Sequence, residues 1–239
     1  MKAQELFQAG KLDEAVQALG AELRENPADA KRRTFLFELL CFAGEYQRAE
    51  KQLDVLSSDG RGAEMGALVY RAALHAERLR QGIFERKDYP ASEPVSDIPI
   101  SGTLNGKPFE SFSDADPRLE AILEVFAAGD YLWIPLQHVA SIQVLPPKRL
   151  RDLLWTPAIV RTGPAFKGKE LGEVLLPALS PLSWKHAEDE VRLGRLTEWQ
   201  DDGAGNVVPF GQKMFAVDED EVPILEIRNL EFAAAQAAP

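Results

Sequence analysis

Ala9-Gly10-Lys11-Leu12-Asp13-Glu14-Ala15 returns further along the chain as Ala43-Gly44-Glu45-Tyr46-Gln47-Arg48-Ala49. Gly10 and Gly44 are 34 residues apart, and apolar positions keep the same offset, Leu6 with Leu40 and Leu19 with Leu53. An offset shared by core positions as well as by the turn is the mark of a stacked helical hairpin. Small Ala and Gly residues at the turn let paired helices approach closely, and Asn26-Pro27 ends one helix before the next begins. The spacing predicts helices over about 2–9, 12–25, 29–43, 45–57 and 62–81, which is two hairpins and one long closing helix.

This period resembles that of tetratricopeptide repeats, with a truncated first copy and no clear second partner for the helix after Gly60 before Pro90 is reached. Such helices supply surface and grooves rather than catalytic groups. Composition then shifts between Lys87 and Pro108, where Pro90, Pro94, Pro99, Gly102, Gly106 and Pro108 interrupt every helical pattern. That stretch predicts a boundary, with a protease-sensitive segment around Lys87–Ser96. Residues from Ile98 read as a short strand and a turn at Asn105-Gly106 that open the second part of the chain.

A helix is expected from Asp116, with Asp116 at its N-cap, Pro117 at its first position, Leu119, Ile122, Leu123 and Phe126 on one face, and Gly129 past its end. Strand-like runs follow at Tyr131–Leu136, where Pro135 points to an edge or a bulge, and at Ser141–Leu145, stopped by Pro146-Pro147. Further runs cover Ala158–Arg161, Val174–Leu176, Arg195–Trp199, Val207–Val217 and Val222–Leu230. The fold class is therefore α+β: tetratricopeptide-like helical hairpins over residues 1–87, then a strand-rich, mostly antiparallel α+β domain over 97–232. The tail at 233–239 has little to bury and is expected to fray.

Thirty-eight acidic against 27 basic residues leave a formal charge of −11, a field that repels phosphate backbones and anionic headgroups, so neither nucleic acid nor membrane insertion is expected. No stretch approaches the ~20 apolar residues of a membrane span, and the first turns carry acids rather than a signal-peptide core, which points to the cytoplasm. The lone Cys41 lies in an apolar run and reads as a buried thiol. His75, His138 and His186 have no second His or Cys at ligand spacing, so neither a metal site nor a cofactor is expected. Phosphate loops, nucleophile elbows and zinc-protease helices are missing. In the acidic cluster Ser113-Asp114-Ala115-Asp116, a pair of cation ligands or a general base competes with helix capping, and capping is the stronger reading. No catalytic residue is assigned.

Five segments of the second part, Leu104–Phe109, Asp114–Leu119, Gly129–Pro135, Arg151–Trp155 and Leu193–Trp199, together with the repeated turn upstream, resemble the ImpE/TagJ (SciE-type) family. The resemblance implies a non-catalytic, cytoplasmic accessory factor of a type VI secretion system. It further implies binding to the N-terminal amphipathic helix of the contractile-sheath subunit TssB and a connection from the sheath to the ATPase ClpV. The runner-up is a tetratricopeptide scaffold, like a co-chaperone, that holds an acidic C-terminal peptide on its concave face through Lys31, Arg32 and Arg33. On the helix over 29–43, Phe35, Leu36, Leu39 and Phe42 follow a core stripe, so Phe37, lying off it, and Arg33 beside it are the candidate partner contacts. Arg195 is a third, as a guanidinium for a partner carboxylate. Trp133, Trp155 and Trp199 are read as core before hot spot.

Overall fold

A computed structural model describes residues 2–57, 61–90, 100–164, 166, 168, 170–203 and 205–233. Five helices come first: α1 (Lys2–Gln8), α2 (Leu12–Glu25), α3 (Ala30–Phe42), α4 (Tyr46–Ser57) and α5 (Arg61–Arg86). Each packs on its neighbour in sequence. The two repeat glycines adopt the left-handed turn conformation at φ +75° and +70° that side chains resist, so the duplicated sequence makes the same sharp corner twice. Asp29 starts α3 by accepting from Arg32 N at 3.0 Å.

The remainder is strand-rich and antiparallel. Eight strands form one sheet in the order β2-β1-β13-β6-β7-β8-β4-β5. They are β1 (Gly102–Leu104), β2 (Lys107–Phe109), β4 (Ile122–Ala127), β5 (Asp130–Pro135), β6 (Val139–Val144), β7 (Trp155–Thr162), β8 (Gly172–Pro177) and β13 (Asn229–Phe232). A second sheet joins β3 (Phe112–Asp114) to β11 (Met214–Val217) and β12 (Asp220–Pro223), and a two-stranded ribbon pairs β9 (Thr197–Asp201) with β10 (Val207–Gly211). Between η-type turns and the ribbon lies one short helix, α6 (Asp189–Arg192). Asn105 and Gly106, at φ +49° and +81°, turn β1 into β2 as their sequence predicts. Pro135 ends the edge strand β5, where a missing N–H costs no ladder bond.

The helix expected from Asp116 is not there. The Asp116 carbonyl accepts from Leu119 N and Glu120 N at 2.9 and 3.0 Å, one turn's worth of bonds, and then Glu120 at φ +46° swings the chain into β4. Ile122 to Phe126 are all buried because β4 sits inside the sheet with cover on both faces, so its apolar residues show no alternation to betray a strand. The run at 207–217 divides between the ribbon and the second sheet, and the run at 222–230 between β12 and β13. Residues 91–99 and 234–239 lie outside the described residues. With them go most of the expected protease-sensitive segment and the fraying tail.

Two large apolar clusters hold these parts together. One lies within the strands and is built from residues such as Phe112, Ile142, Val160 and Leu230. The other is shared: Leu36, Phe37, Leu40 and Leu74 of the helices pack with Phe126, Leu154, Trp155 and Leu193 of the strand-rich part. The repeat turns join in this contact. A Cβ on Gly10 would meet Glu190 Oε1 at 2.6 Å, and one on Gly44 would collide with the Trp184 ring.

Candidate functional site

The densest chemistry in the molecule lies in this joint. Glu124 of β4, wholly buried, accepts from Arg80 of α5 through Nε and Nη2 at 2.7 and 2.9 Å, from Lys213 Nζ at 2.8 Å, and from the Tyr131 hydroxyl at 2.6 Å. Lys213 also pairs with Asp114 at 2.5 Å, and Asp114 Oδ1 accepts from Asp116 N at 3.0 Å. Arg80 reaches the Leu179 carbonyl at 2.9 Å and Glu77 at 3.4 Å. Glu77 accepts the Trp155 indole N–H at 3.0 Å and an N–H of Gln81, while Gln81 Oε1 accepts from Leu182 N at 2.9 Å and the Trp184 indole at 3.3 Å. Helix α5 thus presents Glu77, Arg80 and Gln81 to three different strand-side groups.

Burial alone would raise Glu124, but Arg80 and Lys213 outweigh it and hold its carboxyl well below the usual carboxylate range. Burial would likewise lower Arg80 and Lys213, yet their carboxylate partners keep both raised. Asp114 is different: burial pushes it up to about 6 against the pull of Lys213. Glu38 on α3 is pushed by burial to about 7, with the Arg151 backbone and side chain opposing. Such shifts often mark active sites. Here Glu124, Arg80, Lys213 and Asp114 are tied to one another inside the protein.

A small cleft beside the joint is lined by Cys41, Tyr46, Glu77, Gln81, Ser180 and Trp184, with room on the scale of a water molecule. Burial drives the Cys41 thiol well above its ordinary value, so it is a poor nucleophile. Among the described residues no group of three His, Cys, Asp or Glu side chains is placed to hold a metal ion. Asp116, instead of a ligand, is the acceptor for Arg118 N at 3.0 Å and for the Arg118 guanidinium at 2.6 and 2.8 Å.

The structure does not bring the three sequence candidates together. Phe37 is wholly buried, packed against Tyr70 at 5.0 Å and Trp155 at 6.4 Å between ring centroids, so the expectation of an exposed residue is overturned. The stripe argument assumed one buried face, whereas α3 lies between its neighbouring helices and the strands, so Leu36 to Phe42 are all covered. Arg33 bonds Gln52 Oε1 at 2.8 Å and the Pro27 carbonyl at 2.5 Å. Arg32 is held by Glu22 and Asp29. These are ties between helices, and with Lys31 alone exposed they leave no basic clamp for an acidic peptide. Arg195 stacks over Phe7 at 5.2 Å and donates to the carbonyls of Phe7 and Gln8 at 2.5 and 3.1 Å, closing the C-terminal end of α1.

Several large apolar side chains do lie exposed on the surface. Leu68 and Leu79 of α5 are exposed on one face of the helix, with half-buried Ala72 between them beside Gly129, and Val69 of α5 and Val55 of α4 are exposed as well. Leu196, Trp199 and Val207 are exposed on and beside the ribbon. No periodicity argument singled these out, since an exposed Leu or Trp is read from sequence as core.

Comparison with known proteins matches the family model described as ImpE protein to residues 106–231, and a tetratricopeptide repeat model to residues 6–72. The type VI secretion system accessory component TagJ of Pseudomonas aeruginosa is 33% identical over 269 residues, spanning 99% of this chain and 93% of that protein. A crystal structure of protein VPA1032 from Vibrio parahaemolyticus shares the fold, with a TM-score of 0.85 and 20% identity over 99% of each chain.

Proposed function

The chain belongs to the ImpE family, and from that membership we propose that it is a non-catalytic, cytoplasmic accessory component of a type VI secretion system, an adaptor for the N-terminal amphipathic helix of a TssB-type sheath subunit. The observation that carries the secretion role is the end-to-end relationship to a TagJ accessory component. A connection to a ClpV-type ATPase belongs to the same reading.

The geometry favours one place for the helix. The face of α3 that might have served as a groove is covered by Leu154 and Trp155. Helix α5 continues the hairpin series, and among the described residues no further helix follows to complete a third hairpin. Its exposed Leu68 and Leu79 therefore offer an amphipathic helix the apolar contact that a successor helix would make. Calorimetry with a synthetic peptide of the sheath subunit's N-terminal helix tests this. Binding that is lost in a folded Leu68→Glu, Leu79→Glu variant supports the slot, and binding kept in that variant moves it elsewhere. No binding by folded protein at ~100 μM, where even about 5–6 kcal/mol registers, overturns the adaptor itself.

A further inference from the structure

Four tryptophans divide three to one. Trp133, Trp155 and Trp184 each donate their indole N–H inside the molecule, to Tyr131, Glu77 and Gln81. Trp199 has no hydrogen bond and no ring contact among the described residues, and 37% of it is exposed. A partly exposed aromatic ring with an open N–H is the residue type that anchors interfaces.

Its setting is a strand edge. β9 pairs with β10 on one side only, in a register that puts Trp199 opposite Pro209 and Asp201 opposite Val207, so Trp199 and Val207 are diagonal neighbours on one face. The opposite face is anchored: Gln200 Nε2 lies 2.6 Å and Glu198 3.2 Å from Nε2 of buried His186. The ribbon is thus fixed in place, while four of the five β9 residues are exposed and the fifth half-buried. Its outer backbone groups have no strand partner among the described residues. Natural edges of this kind are blunted with charge, and here the strand itself carries two acids, Glu198 and Asp201, while Asp202 just beyond is paired with Lys87 at 3.4 Å.

We propose that the outer edge of β9, centred on Trp199, takes up an extended basic segment of another protein as an added strand. Main-chain bonds to the open edge supply the pairing, lysine or arginine side chains on one face meet Glu198, and apolar side chains on the other face cover Trp199. A second copy of this chain fits worse, because pairing two β9 edges crowds the carboxylates of both. No residue of this edge belongs to the exposed α5 face, and the proposal stands without it.

The probe is a synthetic peptide of alternating lysine and valine, about eight residues long to span one strand, added to the full chain. Expected are saturable binding, weakened at least tenfold in Trp199→Ala and weaker in Glu198→Gln, steep loss with salt, and new protection of β9 amides from hydrogen exchange. An alternating glutamate and valine peptide should not bind, and Leu79→Glu should leave the lysine peptide's affinity unchanged. The proposal is overturned by absent binding, by affinity untouched in Trp199→Ala, by β9 amides that stay unprotected, or by dimerisation of the chain through this edge.

Discussion

The joint between helices and strands and the β9–β10 ribbon are made of the same residue types, Trp, Glu and Asp, put to opposite uses. In the joint Glu124 has no exposure and accepts four hydrogen bonds, and Trp155 is locked by Glu77. On the ribbon Trp199 is exposed, and Glu198, exposed as well, has His186 as its contact. Burial decides which. A charge removed from water must be matched completely or its penalty runs to several kcal/mol, so the joint admits one arrangement; the ribbon's charges interact weakly and remain available.

That contrast predicts a graded series of losses. Glu124→Ala strands Arg80 and Lys213 without their shared carboxylate, and denaturant unfolding should show a loss of about 3–5 kcal/mol. A loss under about 1 kcal/mol would mean that water already reaches the joint. Phe37→Ala empties a site walled by Tyr70 and Trp155 and should lose about 3–4 kcal/mol by the same measurement. Its effect on any partner would be an effect on folding.

The third prediction concerns pH. Glu38 has its folded value raised from 4.5 to about 7, so the folded state binds its proton more tightly. The stability it contributes is present below about 4.5 and lost as pH climbs through about 7. Glu38→Gln removes that loss, and unfolding curves should show the variant gaining on wild type by roughly 1–3 kcal/mol between those values, then no more. A difference that does not change with pH would place the raised titration elsewhere. Asp114 has the same sign over a lower window, from 3.8 to about 6. Smallest of all, Trp199→Ala should move stability by no more than about 0.5 kcal/mol, as surface changes do. A larger loss would make the ribbon's tryptophan part of a core.

Much of the helical part was legible because its signals are local. Gly10, Gly44 and Asp29 act within one turn of where they stand, and α2 and α4 bury one stripe each. Where an element is covered on two sides, the stripe disappears and the reading fails. This happened at α3, hence the error at Phe37, and at β4, where Asp116-Pro117 gave a true turn signal and tertiary cover then chose a strand. The hold of Arg195 on α1 was not legible for a related reason: the carbonyls of Phe7 and Gln8 that it bonds are remote in sequence. The joint itself combines Arg80, Asp114, Glu124 and Lys213 from four separate stretches, and nothing in their spacing announces it.

The two repeat glycines carry one more implication. Glu190 presses on Gly10 and Trp184 on Gly44, so the strand-rich part grips both copies of the duplicated corner at once. A freely extendable solenoid gains length by adding units, each resting only on the last. Here an inserted 34-residue unit between the corners would carry them apart and break one grip or the other. The helical part is therefore a gauge of fixed length, and lengthening it would require a remade strand-rich half to span the new distance.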